Sequence, residues 1–181
     1  MPKTLTTLGK QSFSNCSSLK SIKLPESVIN FNSYCFSFSG LQAISILNDN
    51  AVLSDRVFWN CSSLILVNLS DQISSLGDYC FNGIGATTVN LPKNLTIINE
   101  GLFSNCRNLE SVVIPNKVTT INNYLVFSNQ NLKTITLPDS VTSVKVNSFS
   151  ASSNVVIKVP SQRLKNLILQ TTVFRGTVEL I

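Results

Sequence analysis

A phenylalanine returns every 22 to 24 residues along most of this chain, at Phe13, Phe36, Phe58, Phe81, Phe103, Phe127 and Phe149. A period that long and that regular admits few folds, because a unit of this size cannot bury an apolar face alone and must stack against its own copies. Other positions keep the same phase. Five or six residues before each phenylalanine stands an apolar side chain: Leu8, Phe31, Leu53, Leu76, Ile98, Ile121 and Val144. After it come apolar pairs that skip one residue: Ile22 and Leu24, Ile44 and Ile46, Val67 and Leu69, Val89 and Leu91, Val112 and Ile114, Ile135 and Leu137, Ile157 and Val159. That alternation is the period of a strand with one buried face. Proline follows the pair at Pro25, Pro92, Pro115, Pro138 and Pro160. Lacking an N–H it cannot extend a ladder, so it ends the strand and opens a turn.

The expected fold is therefore a solenoid of about seven coils, each of 22 to 24 residues, with one parallel β-sheet and with turns and short helical segments on the other face. Coils stack at strand spacing, about 4.8 Å, which lines up each phenylalanine, leucine and isoleucine with its equivalent next door. The repeat is also a doublet. Cys16, Cys61 and Cys106 lie 45 residues apart, as do Cys35 and Cys80. Odd units carry Asn-Cys after the phenylalanine, while units two and four carry Tyr-Cys-Phe and reach their strand one residue sooner. Residues 1–160 form the solenoid and 161–181 a cap of the same domain. In that cap Ser161 starts a short helix with Leu164, Leu167 and Ile168 on one face, and a closing strand follows. No comparable cap covers the N-terminal end, which is a place for self-association.

Segments such as Phe13-Ser-Asn-Cys-Ser-Ser-Leu-Lys-Ser-Ile-Lys-Leu-Pro-Glu-Ser-Val28 and Leu132-Lys-Thr-Ile-Thr-Leu-Pro-Asp-Ser-Val141 resemble the BspA-like leucine-rich repeats of bacterial and protozoan surface proteins. The resemblance runs over nearly the whole chain and implies a leucine-rich-repeat solenoid that serves as an interaction or adhesion module. Unit three departs from the pattern, because the stretch between Ser45 and Leu53 lacks the proline turn.

Composition narrows the chemistry. The chain has no histidine, which removes the commonest general base and metal ligand together. Its seven glycines form neither a phosphate loop nor a dinucleotide fingerprint. The net charge of +5 comes from scattered basic residues without an interleaved aromatic platform, so nucleic acid is not an expected partner. No stretch is long and apolar enough to span a bilayer, and no signal peptide is present in this chain, so membrane insertion is not expected. With only 13% charged residues the surface is largely uncharged and polar, which suits contact at a cell surface or outside the cell.

Among the acids, Glu26 and Asp139 share one phase, Asp78 and Glu100 another, and Asp49 and Asp55 stand outside the pattern. The in-phase acids read as turn residues repeated with the coil and not as a pair set for glycoside chemistry, and no cofactor is implied. Cysteines of one phase sit two coils, about 10 Å, apart, beyond the roughly 7 Å reach of a disulfide. Five reduced, buried thiols are expected, the two phases not facing each other. Four Asn-X-Ser/Thr sequons, at Asn15, Asn60, Asn68 and Asn94, read as turn asparagines at the first two.

What remains is the exposed ribbon of the sheet. Its centre column is Lys23, Ser45, Asn68, Asn90, Val113, Thr136 and Lys158, flanked by Ser21, Ala43, Leu66, Thr88, Ser111, Thr134 and Val156. The column holds no acid and no aromatic anchor, which fits broad contact of modest strength with a protein or glycan. Adhesion by a surface or secreted protein leads the functional readings. A carbohydrate-active parallel β-helix and an intracellular interaction scaffold are the alternatives.

Overall fold

The computed structural model describes residues 1–150 and 154–181. It is a parallel β-solenoid of about seven turns with one helix near the C-terminus. Its strands fall in two rows. The first row, early in each coil, comprises β1 (Thr7–Leu8), β2 (Asn30–Phe31), β4 (Val52–Leu53), β6 (Ile97–Ile98), β8 (Thr120–Ile121) and β10 (Ser143–Val144). β1, β2 and β4 pair in parallel, as do β6, β8 and β10, and a bridge from Leu53 to Leu76 carries the row onward. The apolar residues that precede each phenylalanine are the buried members of these pairs, so the expected sheet has a second, shorter companion.

The second row holds the strands predicted by the alternating pairs. It comprises β3 (Ala43–Ile46), β5 (Leu66–Leu69), β7 (Ser111–Val113), β9 (Thr134–Thr136), β11 (Val156–Val159) and β12 (Thr177–Leu180). It is not continuous: β3 pairs with β5, and β7, β9, β11 and β12 form a separate group.

Between the rows, where short helical segments were expected, the described residues form turns with an unusual backbone rhythm. In each of the first six coils two residues are left-handed, one two positions before the core phenylalanine slot and one two after it. The first series is Gln11, Tyr34, Arg56, Tyr79, Gly101 and Tyr124; the second is Asn15, Phe38, Asn60, Gly83, Asn105 and Ser128. A left-handed residue with a side chain costs of order 1–2 kcal/mol. Here it aims alternate N–H groups at the next coil. The amides of Tyr34, Phe36 and Phe38 donate to the carbonyls of Asp55, Val57 and Trp59, and those of Gln11, Phe13 and Asn15 to Ser33, Cys35 and Ser37. The corner is thus a third inter-coil ladder. Asparagine recurs in the second series because it tolerates this conformation, which is the reason for the Asn-Cys repeat.

The core is a stack of rings. Phe13, Phe36, Phe58, Phe81 and Phe103 lie nearly parallel, with successive centroids 5.3, 5.6, 5.7 and 6.0 Å apart. Such pairs add about 0.5–1.5 kcal/mol each beyond burial. The sixth unit corrects the sequence reading: Phe127 is 41% exposed, edge-on to Tyr124, and the buried Val126 takes the phenylalanine slot. The ladder identifies it, since the amide of Phe103 donates to the residue before Val126, as Phe36 does to the residue before Phe58. Phe149 resumes the core and meets Phe174 of the cap.

All five cysteines are free; four are buried, but Cys16 is partly exposed because its coil is the outermost. Cys61 and Cys106 donate to the carbonyls of Phe36 and Phe81. Burial first, and the neighbouring Cys61 second, push the Cys35 thiol up to about 12. The cap follows the sequence reading. Helix α1 (Gln162–Thr171) has Ser161 as N-cap, its hydroxyl accepting from the Leu164 amide, and buries Leu164 and Ile168. Arg163 ties it to the coil before, donating to Asp139 and to the Val141 carbonyl.

Candidate functional site

The period-two strands turn alternate side chains outward, and the structure places most of the candidate column on one face. Ser45 on β3 is in register with Asn68 on β5, and Val113 on β7 with Thr136 on β9 and then Lys158 on β11. Lys23 and Asn90 are exposed but lie outside any strand. Val113 stands 63% exposed, whereas Thr136 and Lys158 are half-buried. β12 extends the column by one residue that the sequence reading did not include: Lys158 is in register with Glu179, so the ribbon ends on an acid.

The break in the ribbon is its most distinctive feature. Residues 88–91 occupy the strand position of the fourth coil yet make no backbone hydrogen bond. A shallow groove of about 700 Å³ opens there, lined by Asn68 and Leu69 from one side, Thr88 to Leu91 in the middle, and Ser111 and Val113 from the other. Asp71 and Lys93 pair across one edge at 2.6 Å. Backbone donors and acceptors, two carboxamides and two hydroxyls therefore face a common space. Such groups hold a polar or extended partner by hydrogen bonds, with no ionised group at the centre.

The acids are arranged differently from the expectation. Asp55 is in phase with Asp78 and Glu100, three positions before the phenylalanine of each coil, so carboxylates do recur on three successive coils. Their bonding shows what they do. Asp55 accepts from the Asp78 amide at 3.0 Å, Asp78 from the Glu100 amide at 3.1 Å, and Glu100 from the Tyr79 hydroxyl at 2.7 Å. They lash coil to coil. Tyr79, partly buried and bonded to Glu100, has its hydroxyl pushed up to about 12. Among the described residues no group of acids and cysteines is placed to hold a metal ion.

A second, half-buried surface cluster went unread in the sequence. At the corner Arg56 lies between the rings of Tyr34 and Tyr79, 5.6 and 4.9 Å from their centroids. Trp59 meets Tyr34 and Phe38 edge-on and donates its indole N–H to Asn82 at 2.9 Å. The Tyr-Cys-Phe repeat was the available signal, but Trp59 and Arg56 have no counterparts 45 residues away, so periodicity alone could not find them.

The profile of the BspA type leucine rich repeat region matches residues 1–106 and 55–180, in six copies. No curated protein matches the chain. Among solved structures, a leucine rich cell surface protein from Faecalibacterium prausnitzii A2-165 is 19% identical with a TM-score of 0.61, the match covering 93% of this chain and 61% of that one. The pneumococcal vaccine antigen PcpA is 15% identical with a TM-score of 0.62, covering 98% and 60%. At these identities the likeness is one of fold, and the chain spans about three fifths of the length of either structure. Among the described residues no helix is long and apolar enough to cross a membrane. With the repeat profile covering almost every residue, the chain belongs to the BspA-type leucine-rich-repeat family.

Proposed function

We propose that this chain is a non-catalytic binding module of a surface or secreted protein, and that it holds an extended segment of a partner protein along the sheet ribbon. The observation that carries this reading is the groove over residues 88–91, where unbonded backbone groups lie beside Asn68, Asn90 and Ser111. A catalytic reading has less support, because the three in-phase acids are occupied in lashing coils together. Surface location is supported by the description of the F. prausnitzii structure as a cell surface protein.

Contacts spread over several coils distribute the binding energy, so single truncations are mild and combined ones severe. The test is solid-phase binding to a panel of extracellular matrix proteins. Asn90→Ala is expected to weaken any binding found by less than about threefold, and Asn68→Glu, Asn90→Glu and Val113→Glu together to abolish it. Undiminished binding by a folded triple variant would move the site off the ribbon.

A further inference from the structure

The corner holds a second recess, on a different part of the coil from the ribbon. It measures about 510 Å³ and spans three coils, with Trp59 and Asn60 on one side, Asn82 and Gly83 at the floor, and Asn105 and Arg107 on the other. Its origin is the doublet. Coils one, three and five take six residues to pass from phenylalanine to the next inward apolar residue, as from Phe58 to Leu64. Coils two and four take five, from Phe36 to Leu41 and from Phe81 to Ala86. Coils two and four are therefore recessed between longer turns, and Gly85 makes this close packing feasible in coil four, since a Cβ there would sit 2.2 Å from the Ser62 carbonyl oxygen. The same depression must arise over coil two, but there Phe38 occupies the position that Gly83 holds in coil four. Only over coil four does a glycine leave the space open.

The chemistry of the walls is specific. Trp59 lines the recess half-buried, its N–H already satisfied by Asn82 and its ring at a steep angle to those of Tyr34 and Phe38, so what it offers a ligand is apolar ring surface. Carboxamides both donate and accept, which matches vicinal hydroxyls. No acid lines the recess, and Arg107 forms no ion pair among the described residues.

We propose that this recess binds an acidic glycan, with a pyranose ring against Trp59, its hydroxyls on the carboxamides of Asn60 and Asn105, and its carboxylate on Arg107. The site is independent of the ribbon.

Trp59 is the chain's single tryptophan, so its fluorescence reports this site alone. The full chain is titrated with a hyaluronan tetrasaccharide and with 3′-sialyllactose, and with lactose as the neutral comparator. At least one acidic sugar should shift the emission saturably, with lactose roughly fivefold weaker or more, and Arg107→Ala should bring the acidic sugar down to the lactose level. Gly83→Phe copies Phe38, whose backbone has the same left-handed φ; its new Cβ would lie 2.3 Å from the Asn60 carboxamide oxygen, which can swing away, and 3.3 Å from the Asn60 Cα, a contact that needs a shift of a few tenths of an ångström. It should remove the response while leaving the thermal midpoint within a few degrees. The ribbon triple variant should respond as the parent does, so failure here and failure of the ribbon reading are separable. A flat titration with both acidic sugars overturns the proposal. So does a response that survives Gly83→Phe, or a lactose response equal to that of the acidic sugars.

Discussion

Phe103 and Phe127 sit one coil apart in the same apparent series, yet one has its ring stacked in the core and the other lies 41% exposed. Phe103→Ala should cost about 3–5 kcal/mol by urea denaturation, since the stack cannot collapse around the missing ring. Phe127→Ala should cost less than about 1 kcal/mol. Equal losses would mean that the slot assigned to Val126 is wrong. The thiols give a pH test. Burial first, and neighbouring thiols second, raise Cys35 to about 12 and Cys80 well above its ordinary value of 9.0; burial raises Cys106 to about 12. The folded state therefore binds these protons more tightly than the unfolded chain. Their contribution is complete below pH 9, where both states are protonated, and is lost as pH rises toward 12. Thermal midpoints measured upward from neutral pH should hold steady and then fall on the alkaline side, and Cys35→Ala with Cys80→Ala should flatten that fall.

At the scale of the element, the cap and the shortened turns are the places where local chemistry decides stability. Ser161 accepts from the Leu164 amide, and its own hydroxyl donates to Asp139. Ser161→Ala removes both bonds and is expected to lower stability by about 1 kcal/mol in urea melts. Bonding from Ser161 first, and from Arg163 second, holds the exposed Asp139 carboxyl below its usual range. Gly40 and Gly85 stand in the same place of coils two and four, where an added methyl would lie 1.9 and 2.2 Å from the carbonyl oxygens of Ser17 and Ser62. Backbone cannot yield as a side-chain tip can. Gly85→Ala should therefore destabilise by about 1–3 kcal/mol, an overpacking cost; a neutral result would show that these two coils are not held in by close approach.

Over the whole molecule, a solenoid's stability is a sum of neighbour contacts, so the ends differ from the middle. The first coil is the weakest end. Phe13, Leu19, Ile22 and Leu24 are only partly buried, and residues 21–24 make no backbone hydrogen bond. At the other end β12 continues the ladder and Phe174 closes on Phe149. Native-state hydrogen exchange should show the least protection in residues 13–25 and the most in the coils holding Phe58, Phe81 and Phe103. Thiol labelling should follow the same gradient, with Cys16 reacting in the folded chain and the other four only on denaturation. Equal protection at the two ends would contradict the uneven capping.

The period, the coil length, the strand faces and the cap were legible in the sequence because each follows from spacing alone: buried positions recur at fixed intervals whichever coil they belong to. Asp55 keeps the phase of Asp78 and Glu100 in the sequence itself and needed no structure to place it, whereas Val126 was missed for the opposite reason. Phase counted from one residue type drifts where a neighbour substitutes, and only the inter-coil hydrogen bonds define the true register. The two recesses lay beyond sequence reasoning altogether. The groove over residues 88–91 exists because one segment does not pair with strands that are more than twenty residues away along the chain. The Trp59 recess exists because Gly83 is small where Phe38 is large, a difference that becomes a shape only when longer and shorter coils are stacked. Repetition is a property of the chain, whereas a site on a solenoid is a departure from repetition, and what such a departure exposes depends on the coils packed on either side.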